Sequence, residues 1–576
     1  MKYTLERNHQ IVIELLKYHG IKKIIASPGG TNVTFVASVQ RDSYFDVYSS
    51  VDERSAAYMA CGMAAESGEV VVLSCTGATA SRNYYPGLTE AYYRNLPILA
   101  ITSSMPAEWI GHNSPQVTDR TCIANDIAKM SVHIPNIKDE EDEWNCTVKA
   151  NQAILELKHH TCGPVHINLE TSWASFDESE VKPVHYIDRI VEKDSFPEIR
   201  KKRVAVFVGT HKRWDEKLTQ AVDSFCEKHN AIVIGDHTSN YKGKYLLNSS
   251  LLATQINYHS LCTDIELLIH IGDISGAYLS IFPKEVWRVN VDGKICDTFK
   301  KLRYVFEMEE VVFFEKYNEM SERFEMEYYD EWKSEDTRLR NMIPNELPFS
   351  NVYVAREFST RLPEKSVLHL GILNSLRSWN LFNIDKSIVV YSNTGGFGID
   401  GCVSSLIGAS IASPEKLFFG VVGDLAFFYD MNSLGNRHIS ANIRLVVINN
   451  GIGQEFKNFG NGTAQFGDET NPFIAAEGHY GRKSKALVKG YAEALGFKYM
   501  VASDPDTFCE HIEEFCSREI GAQPMLFEVF TNTTDETDAL KIIRQLNQPE
   551  LSGVKRFIKD AVGEKRIQAV KKILRG

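Results

Sequence analysis

Short apolar runs alternate with longer amphipathic stretches along the chain. In the N-terminal part the apolar runs are KKIIASPGG, EVVVLSCTG, LPILAITSS and GPVHINLE, and helical segments such as ERSAAYMACGMAAESG stand between them. Near-continuous apolar runs that are separated by helices are typical of buried parallel strands. The pattern therefore predicts a doubly wound α/β block over 1–180, whose strands end near Leu169 and which leads into a polar, proline-containing link over 175–202.

The same alternation returns twice further along the chain. RVAVFVGT, AIVIGDHTS, IELLIHIGD and EVWRVNVD predict a central block over 195–345, which ends in a charged helical segment. SVLHLG, SIVVYSN, LFFGVVGD, RLVVINN and MLFEVFT predict a third block over 346–545. We therefore predict an α/β protein of three doubly wound parallel-sheet domains, followed by a basic amphipathic helix over 546–576. We interpret that helix as docked on its own or a neighbouring subunit; the alternative is a weak contact with a membrane surface or a partner.

Composition narrows the class of protein. A chain of 576 residues is too long for one hydrophobic core, and a net charge of -12 argues against a general nucleic-acid binder. The eleven cysteines are scattered without zinc-type spacing and indicate free thiols in a reducing compartment. No apolar run approaches the ~18 residues of a membrane span, and the charged start MKYTLERNHQ is unlike a signal peptide. We expect a cytoplasmic protein without nucleic-acid partners or a membrane span.

Oxygen-bearing side chains end two consecutive apolar runs of the third block. In VVGDLAFFYDMNSLGNRHISANIRLVVINN, residues 421–450, the first run ends in Asp424 and the second in Asn450. Ligands of parallel sheets bind beyond the carboxyl ends of the strands, and a carboxylate with an amide oxygen suits Mg²⁺. Asp424, Asn450 and the backbone carbonyl of Ile452 are therefore candidate Mg²⁺ ligands that anchor a diphosphate. The alternative is a pair of capping residues at strand-to-helix turns.

Several longer motifs carry a family resemblance. They are SPGGTN at 27–32, DERSA at 52–56, TGATASRNYYPG at 76–87, GPVHIN at 163–168, YSNTGGFGIDG at 391–401, GDLAFFYDMN at 423–432 and VVINN at 446–450, with weaker landmarks at IGDHTSN and IGDISGAYL. In this order they resemble the motifs of the menaquinone-pathway MenD family of thiamine-diphosphate (ThDP) enzymes. The resemblance covers residues 1–540 and implies that the blocks are pyrimidine-binding, central and diphosphate-binding domains.

The resemblance implies roles for single residues. Glu53 matches the catalytic carboxylate that hydrogen-bonds the pyrimidine ring of the cofactor; without the other motifs it would be interpreted as a first-turn acid that favours a helix dipole. Ile399 matches the apolar wedge that bends ThDP. The other implied cofactor-binding residues are Thr76, Gly77, Ser375, Leu425, Ala426 and Asn450. The implied cofactors are ThDP and Mg²⁺. The fold also implies at least a homodimer, in which Glu53 of one subunit faces the diphosphate held by another.

The substrate side departs from the family pattern. MenD enzymes hold the carboxylates of 2-oxoglutarate and isochorismate with basic residues, as bidentate recognition favours. Here neutral residues replace those cations: Thr31, Met105, Ala277, Tyr278, Thr394 and Trp379. The candidate substrate-contacting residues are Thr31, Asn32, His112, Asn113, Gln116, Arg377, Thr394, Phe397 and Gln454. His112 is equally interpreted as a loop histidine bonded to backbone, and Arg82, Arg120, Arg377 or Lys457 could re-create a cationic pocket.

These observations predict ThDP- and Mg²⁺-dependent decarboxylation of a 2-oxo acid, with carboligation of the resulting enamine to an acceptor. The substrates would carry less negative charge than those of the family. The alternatives are a simple 2-oxo acid decarboxylase, true MenD activity on 2-oxoglutarate and isochorismate, and a cofactor-binding subunit without turnover. A nicotinamide-dependent enzyme is disfavoured because no GxGxxG follows a strand.

Overall fold

The computed structural model describes residues 3–120, 123–173, 175–177, 181–255, 260–276, 280–320, 326–458, 460–479 and 484–547. Two earlier predictions fall outside these ranges. They are the replaced cation positions Ala277 and Tyr278, and the C-terminal helix over 546–576 apart from its first two residues.

The strands lie where the apolar runs predict them, with some additions. In chain order they are β1 (Tyr3–Thr4), β2 (Lys23–Ala26), β3 (Asp46–Ser49), β4 (Val71–Thr76), β5 (Ile98–Ser104), β6 (Met130–Ile134), β7 (Val165–Glu170), β8 (Phe176–Asp177), β9 (Asp188–Val191), β10 (Val204–Val208), β11 (Ala231–Gly235), β12 (Leu246–Asn248), β13 (Leu267–Ile271), β14 (Glu285–Asn290), β15 (Leu302–Glu307), β16 (Val367–Leu370), β17 (Val389–Tyr391), β18 (Phe418–Gly423), β19 (Ile443–Asn449), β20 (Lys498–Ala502) and β21 (Met525–Phe530).

The helices fill the segments between the strands. In chain order they are α1 (Arg7–Tyr18), α2 (Val33–Val39), α3 (Glu53–Ser67), α4 (Ala78–Asn83), α5 (Tyr85–Tyr93), α6 (Glu140–Glu156), α7 (Glu216–His229), α8 (Ser250–Ala253), α9 (Ser260–Thr263), α10 (Glu310–Met320), α11 (Glu327–Asn341), α12 (Asn351–Ser359), α13 (Asn374–Trp379), α14 (Cys402–Ala412), α15 (Asp424–Asp430), α16 (Asn471–Ile474), α17 (Leu487–Ala494), α18 (Pro505–Phe515) and α19 (Thr533–Arg544). Short 3₁₀ turns lie at Ala107–Trp109, His237–Ser239, Met431–Gly435, Gln454–Lys457, Gly462–Gln465 and Asp468–Thr470.

The chain forms two compact units. The first comprises the described residues of Met1–Pro197 and Glu285–Glu309, and the second those of Glu198–Lys284 and Glu310–Gly576. The predicted domain boundaries at 180, 195, 345 and 545 stay a prediction.

A six-stranded sheet organises the first unit. Its order is β3-β2-β4-β5-β7-β6, and every neighbouring pair is parallel. One face carries a core of large aliphatic side chains from α1, α2 and α6, and the other carries the small residues of α3. The small residues let α5 approach closely, since a Cβ on Gly87 would lie 2.4 Å from the Cβ of Ala57. Strand β2 has β3 on one side and β4 on the other, so the chain reverses direction at this point of the sheet.

The first unit also contains three further parallel strands, paired side by side in the order β14-β15-β9. The prediction of a plain link over 175–202 is wrong here, because β9 lies within it. The sequence DRIV is short and half charged, and it becomes a strand because it pairs with β15.

The second unit contains two groups of parallel strands. One has the order β12-β11-β10-β13, and the other is a six-stranded sheet of order β17-β16-β18-β19-β21-β20. The six-stranded sheet repeats the topology of the first unit, with its reversal between β16 and β18. The prediction of an α/β protein built on several parallel sheets is confirmed. Among the helices of the described ranges, none is long and apolar enough to cross a membrane.

Candidate active site

The carboxyl ends of β16 and β18 form the topological switch point of the second six-stranded sheet. Strand β16 leads to α13, which contains Ser375, and β18 leads directly to α15, whose first residue is Asp424. Because the chain leaves these neighbouring strands in opposite directions, a crevice opens between the following loops. The structure therefore places the predicted diphosphate-side serine and the predicted metal carboxylate at the same edge of one sheet.

The Asp424 carboxylate is buried, with only 4% of the residue exposed. Its Oδ2 accepts a hydrogen bond from the backbone N of Gly451 at 2.7 Å, and its Oδ1 accepts one from the N of Leu425 at 2.8 Å. Burial raises the pKa of Asp424 to about 7, although these NH groups act in the opposite direction. A carboxylate held in this environment calls for a cation, because burying a charge without a partner is costly.

The turn after β19 completes the predicted metal set. Asn450 is buried, and its Oδ1 accepts a hydrogen bond from the N of Ile452 at 3.2 Å. Gly451 has φ +72°, in the left-handed region, and its NH points to Asp424. The structure thus brings Asp424, Asn450 and Ile452 into one hydrogen-bonded cluster. A carboxylate, an amide oxygen and a backbone carbonyl fit Mg²⁺.

Two further buried acids near this cluster were missed from the sequence. Glu528 accepts hydrogen bonds from Asn449 Nδ2 at 2.6 Å and Tyr499 Oη at 2.7 Å, and its charge contributes to the raised pKa of Asp424. Glu536 accepts from Thr531 Oγ1 at 2.8 Å, and burial raises its pKa to about 7. Acidic groups around Asp424 further favour the binding of a cation at this edge of the sheet. In the sequence, an acidic residue inside the apolar strand MLFEVF is the feature that could have identified Glu528 as a candidate site residue.

The turn with the sequence GIDG, which contains Ile399, is held in place by the end of α15. The carboxylate of Asp430 accepts hydrogen bonds from the backbone N and the Oγ of Ser404, both at 2.5 Å, in the first turn of α14. Ile399 lies just before that helix, half-buried against the hydrophobic core of the sheet. The second aspartate of the GDLAFFYDMN motif is therefore structural, and it holds the helix that follows the predicted wedge residue.

A cavity of about 280 Å³ lies beside α13. Asn374, Arg377, Glu455 and Arg544 are among the residues that line it. Arg377 forms an ion pair with Glu455. Gln454, the predicted lining residue, is instead buried and donates to Asn458 Oδ1 at 3.1 Å. Glu455 was missed, although it follows Gln454 directly in the metal loop.

Thr394 belongs to a network of hydroxyl groups within the second unit. Its Oγ1 lies 3.0 Å from Oγ1 of Thr210, which in turn lies 2.9 Å from Oγ1 of Thr238. Thr238 donates to the buried carboxylate of Asp236 at 2.5 Å. Phe397 has φ +54° and lies near Gly276, whose added Cβ would be 3.6 Å from its ring. A hydroxyl network thus occupies the position where the family pattern has an arginine.

In the first unit, Glu53 is the first residue of α3. Asp52 caps this helix by accepting a hydrogen bond from the N of Ser55 at 2.8 Å, so the chain turns sharply from β3 into the helix. Glu53 is half-buried, and its Oε2 accepts a hydrogen bond from Asn83 Nδ2 at 3.2 Å. Asn83 belongs to the quoted NYYP motif but was not among the predicted site residues.

The loops after β2 and β4 meet at the switch point of the first sheet. The N of Thr31 donates to Thr76 Oγ1 at 3.3 Å, and the N of Gly77 donates to Thr31 Oγ1 at 3.3 Å. Thr31 Oγ1 also donates to the carbonyl of Ser103 at 2.8 Å. Asn32 is buried and donates to the carbonyl of Ser27 at 3.0 Å. The structure therefore brings together four predicted residues: Thr31, Asn32, Thr76 and Gly77. The side chains of Thr31 and Asn32, however, form hydrogen bonds that stabilise the loops themselves.

Arg120 lies against the same loops with only 4% of the residue exposed. Its Nη1 donates to Thr102 Oγ1 at 3.0 Å and its Nη2 donates to Asn168 Oδ1. A Cβ added to Gly77 would lie 3.1 Å from Nη1. Burial lowers the pKa of Arg120 to about 10. This guanidinium is a buried positive charge next to the Thr76–Gly77 turn.

The predicted polar loop after β5 is exposed. Gly111, Asn113 and Gln116 have left-handed φ values of +84°, +55° and +62°. The side chains of His112, Asn113 and Gln116 face solvent, and no hydrogen bond between described residues joins them to the Thr31–Thr76 contact. Trp379, by contrast, is a core residue whose ring lies 5.8 Å from that of Phe358.

Comparison with known proteins identifies the class of enzyme to which the chain belongs. The family models "Thiamine pyrophosphate enzyme, N-terminal TPP binding domain" and "Thiamine pyrophosphate enzyme, C-terminal TPP binding domain" match residues 7–123 and 378–529. The chain is therefore a ThDP-dependent enzyme, of the class that decarboxylates 2-oxo acids and joins carbon fragments.

Full-length relatives identify the family. The 2-succinyl-5-enolpyruvyl-6-hydroxy-3-cyclohexene-1-carboxylate synthase of Phocaeicola vulgatus is 31% identical over 572 residues, covering 94% of this chain and 98% of the relative. The enzyme of the same name from Bacteroides thetaiotaomicron is 30% identical over 563 residues, with the same coverage. The chain belongs to this family, the MenD family. A solved ThDP-dependent 4-hydroxybenzoylformate decarboxylase of Rhodococcus jostii RHA1 covers 91% of this chain and 99% of its own at 15% identity, but its TM-score of 0.40 is too low to add to the argument.

Proposed function

We propose that the protein uses ThDP and Mg²⁺ to release CO₂ from a 2-oxo acid and to join the remaining fragment to an acceptor. The observation that carries the proposal is the buried Asp424 carboxylate, hydrogen-bonded to the turn that contains Asn450 and Ile452. Asp424, Asn450 and the Ile452 carbonyl would hold Mg²⁺. Ser375 and the NH groups of Leu425 and Ala426 would hold the diphosphate.

The remaining predicted residues would position the organic part of the cofactor. Ile399 would support its bent form, and Thr76 and Gly77 would contact the pyrimidine ring. Bound ThDP supplies the carbon nucleophile of the reaction. Glu53 would hold a proton at the pyrimidine nitrogen, and Asn83 would orient the Glu53 carboxylate through its hydrogen bond.

We infer that the substrates carry fewer carboxylates than 2-oxoglutarate and isochorismate. The hydroxyls of Thr31 and Thr394, at two positions where the family pattern has arginine, are hydrogen-bonded within the protein. Two of the cations that could compensate already have carboxylate partners: Arg377 pairs with Glu455, and Lys457 lies 3.2 Å from Asp468. Pyruvate or a 2-oxo acid with a neutral tail suits such a site better than a dicarboxylate.

The MenD reaction itself is the second candidate. The specific observation in its favour is that the curated relatives of that name match over nearly the whole chain. If a cationic pocket for the substrate carboxylates has been re-created, Arg120 is the first candidate to form it, because it is buried beside Gly77.

Steady-state kinetics on purified protein tests the choice between these candidates. The values of kcat/KM are compared for pyruvate, a neutral-tailed 2-oxo acid and 2-oxoglutarate, each with isochorismate and with an uncharged aldehyde as acceptor. We expect the monocarboxylates to be preferred by at least on the order of hundredfold, since two missing charge-assisted bonds at roughly 1.5–3 kcal/mol each give that ratio or more. A preference for 2-oxoglutarate with isochorismate would assign the MenD reaction instead.

A further inference from the structure

A second group of metal-type ligands lies in the first unit, where α6 and β15 end. His159 and His160 follow α6 closely, and Glu307 is the last residue of β15. One ligand atom from each of these residues lies within 4.8 Å of the other two. Two imidazoles and a carboxylate form a common donor set for Zn²⁺ and related transition-metal ions. This donor set differs from the all-oxygen cluster around Asp424, which suits Mg²⁺.

The spacing of the ligand atoms fits an ion between them. Glu307 Oε2 lies 3.2 Å from Nε2 of His159, and Glu307 Oε1 lies 3.3 Å from Nδ1 of His160. In a tetrahedral site with bonds of about 2.0–2.2 Å, neighbouring ligand atoms are roughly 3.3–3.6 Å apart. Each histidine therefore already has this spacing to one oxygen of Glu307, and a ring nitrogen of each histidine lies within 4.8 Å of one of the other.

His159 is oriented as a metal ligand. Its Nδ1 lies 2.9 Å from Oε2 of Glu156, and Lys129 Nζ lies 3.3 Å from the other oxygen of that carboxylate. This leaves Nε2 on the side of Glu307, where it is buried and forms no hydrogen bond of acceptable geometry within the described ranges. A carboxylate on the far ring nitrogen is the arrangement that usually fixes a metal-binding histidine.

The backbone of His160 brings the second ring to the same carboxylate. His160 has φ +53°, a left-handed conformation that is uncommon for residues other than glycine. Its ring stacks on that of His159 with centroids 3.9 Å apart, so this ring has to turn out of the stack for the two imidazole lone pairs to meet at one ion. The His160 side chain is 65% exposed, so water can reach the fourth position of a bound ion.

The charges around the cluster allow it to bind a cation with moderate affinity. Glu307 and Glu156 are the two carboxylates, and Lys129 offsets the second. Arg189 Nε lies 3.7 Å from Glu307 Oε2 and donates to the carbonyl of Gly293 at 3.2 Å. The positive charge of Arg189 therefore weakens the binding of a cation. The guanidinium lies near Glu307 Oε2, however, and leaves Oε1, the oxygen that faces His160, to the ion.

We propose that His159, His160 and Glu307 bind one Zn²⁺-class ion. The ion links the segment after α6 to the end of β15, two parts of the first unit that are far apart along the chain. Its role is structural, because binding to the folded state alone stabilises that state. The proposal does not depend on the substrates of the enzyme.

Zn²⁺ titration of untagged protein tests the proposal. The protein is stripped with a chelator, returned to ThDP and excess Mg²⁺, and titrated with Zn²⁺ in competition with a chromophoric chelator. We expect one Zn²⁺ per chain at this site. His160→Asn should weaken that binding at least tenfold, and the fold should be retained because asparagine tolerates the left-handed conformation. His438→Asn, on an exposed histidine of the second unit, should bind like the wild type.

Two further readouts separate a metal site from a network of ion pairs. Zn²⁺ should raise the melting temperature of the wild type and of His438→Asn, but not of His160→Asn or Glu307→Gln. Co²⁺ should give visible absorption bands that His160→Asn removes. Equal Zn²⁺ affinity in wild type and His160→Asn, or no saturable Zn²⁺ binding, would show that the cluster is only an ion-pair network and would overturn the proposal.

Discussion

Asp424 is the residue on which the proposed cofactor site depends most. Its carboxylate is buried and burial raises its pKa to about 7, so a charge on this group is unfavourable unless a cation offsets it. A divalent ion in contact with this carboxylate removes that cost. Affinity for Mg²⁺ and for the diphosphate should therefore depend on this one side chain more than on any neutral neighbour.

Asp424→Ala should lose Mg²⁺ and ThDP together, with affinity for both falling on the order of hundredfold, while the fold is retained because a buried charge is removed. Isothermal titration of ThDP in the presence of Mg²⁺ measures the loss. Asp506→Ala, on an exposed acid of α18, is the matched control and should bind normally. Unchanged ThDP affinity in Asp424→Ala would place the metal elsewhere.

Glu455 controls the charge of the cavity beside α13, because it pairs with Arg377 inside it. Glu455→Gln removes one negative charge next to that guanidinium. We expect kcat/KM for 2-oxoglutarate to rise about tenfold relative to pyruvate, as one additional charge-assisted bond allows. Glu510→Gln, exposed on α18, should leave the ratio unchanged. If the ratio does not move in Glu455→Gln, Arg377 does not contact the substrate.

At the scale of elements, α19 introduces a buried acid below the metal-binding edge. Glu536 is fully buried, and its pKa is raised from 4.5 to about 7 chiefly by burial. The folded state therefore binds this proton more tightly than the unfolded state, so its contribution is present below the unfolded pKa and is lost as pH rises through about 7.

Metal-free wild-type protein should accordingly lose up to about 3 kcal/mol of unfolding free energy between pH 5 and pH 8 through this group. Glu536→Gln should lack that part of the pH dependence. Urea denaturation of both proteins in the presence of EDTA, at the two pH values, gives the difference. Parallel pH profiles would mean that Glu536 is not protonated in the folded state.

The elements also show how far sequence reasoning reaches. LFFGVVGD and RLVVINN predict β18 and β19 almost to the residue, and the parallel register of Gly423 with Ile448 then brings Asp424 to the turn at Asn450. The strands β1, β6, β8, β9, β12, β15 and β20 were not predicted, because they are short or mixed in polarity and depend on their neighbours. The Thr31–Thr76 and Arg377–Glu455 contacts join residues far apart in sequence, so no local pattern could indicate them.

At the scale of the whole molecule, the family fold implies a shared active site. Helix α3 begins at Glu53 and exposes two apolar side chains one turn further on, Tyr58 and Met59, which are 49% and 43% exposed. Exposed apolar side chains beside Glu53, the proposed catalytic carboxylate, favour a subunit interface at this helix.

We therefore predict that the protein is at least a homodimer and that Met59→Asp weakens the association at least tenfold. Analytical ultracentrifugation of wild type and variant over a range of concentrations measures this, with Glu66→Lys near the end of the same helix as a control. A monomer that turns over at full rate at high dilution would rule out the shared site.

The most direct test is the release of CO₂ from a 2-oxo acid by wild type and Glu53→Gln, each with and without ThDP and Mg²⁺. Glu53→Gln keeps the shape of the side chain and leaves the diphosphate site untouched, so it should bind ThDP like the wild type. We expect wild-type release to require both ThDP and Mg²⁺, and Glu53→Gln to lose at least a hundredfold in kcat. CO₂ release that is independent of ThDP, or equal in wild type and Glu53→Gln, would contradict the proposed function.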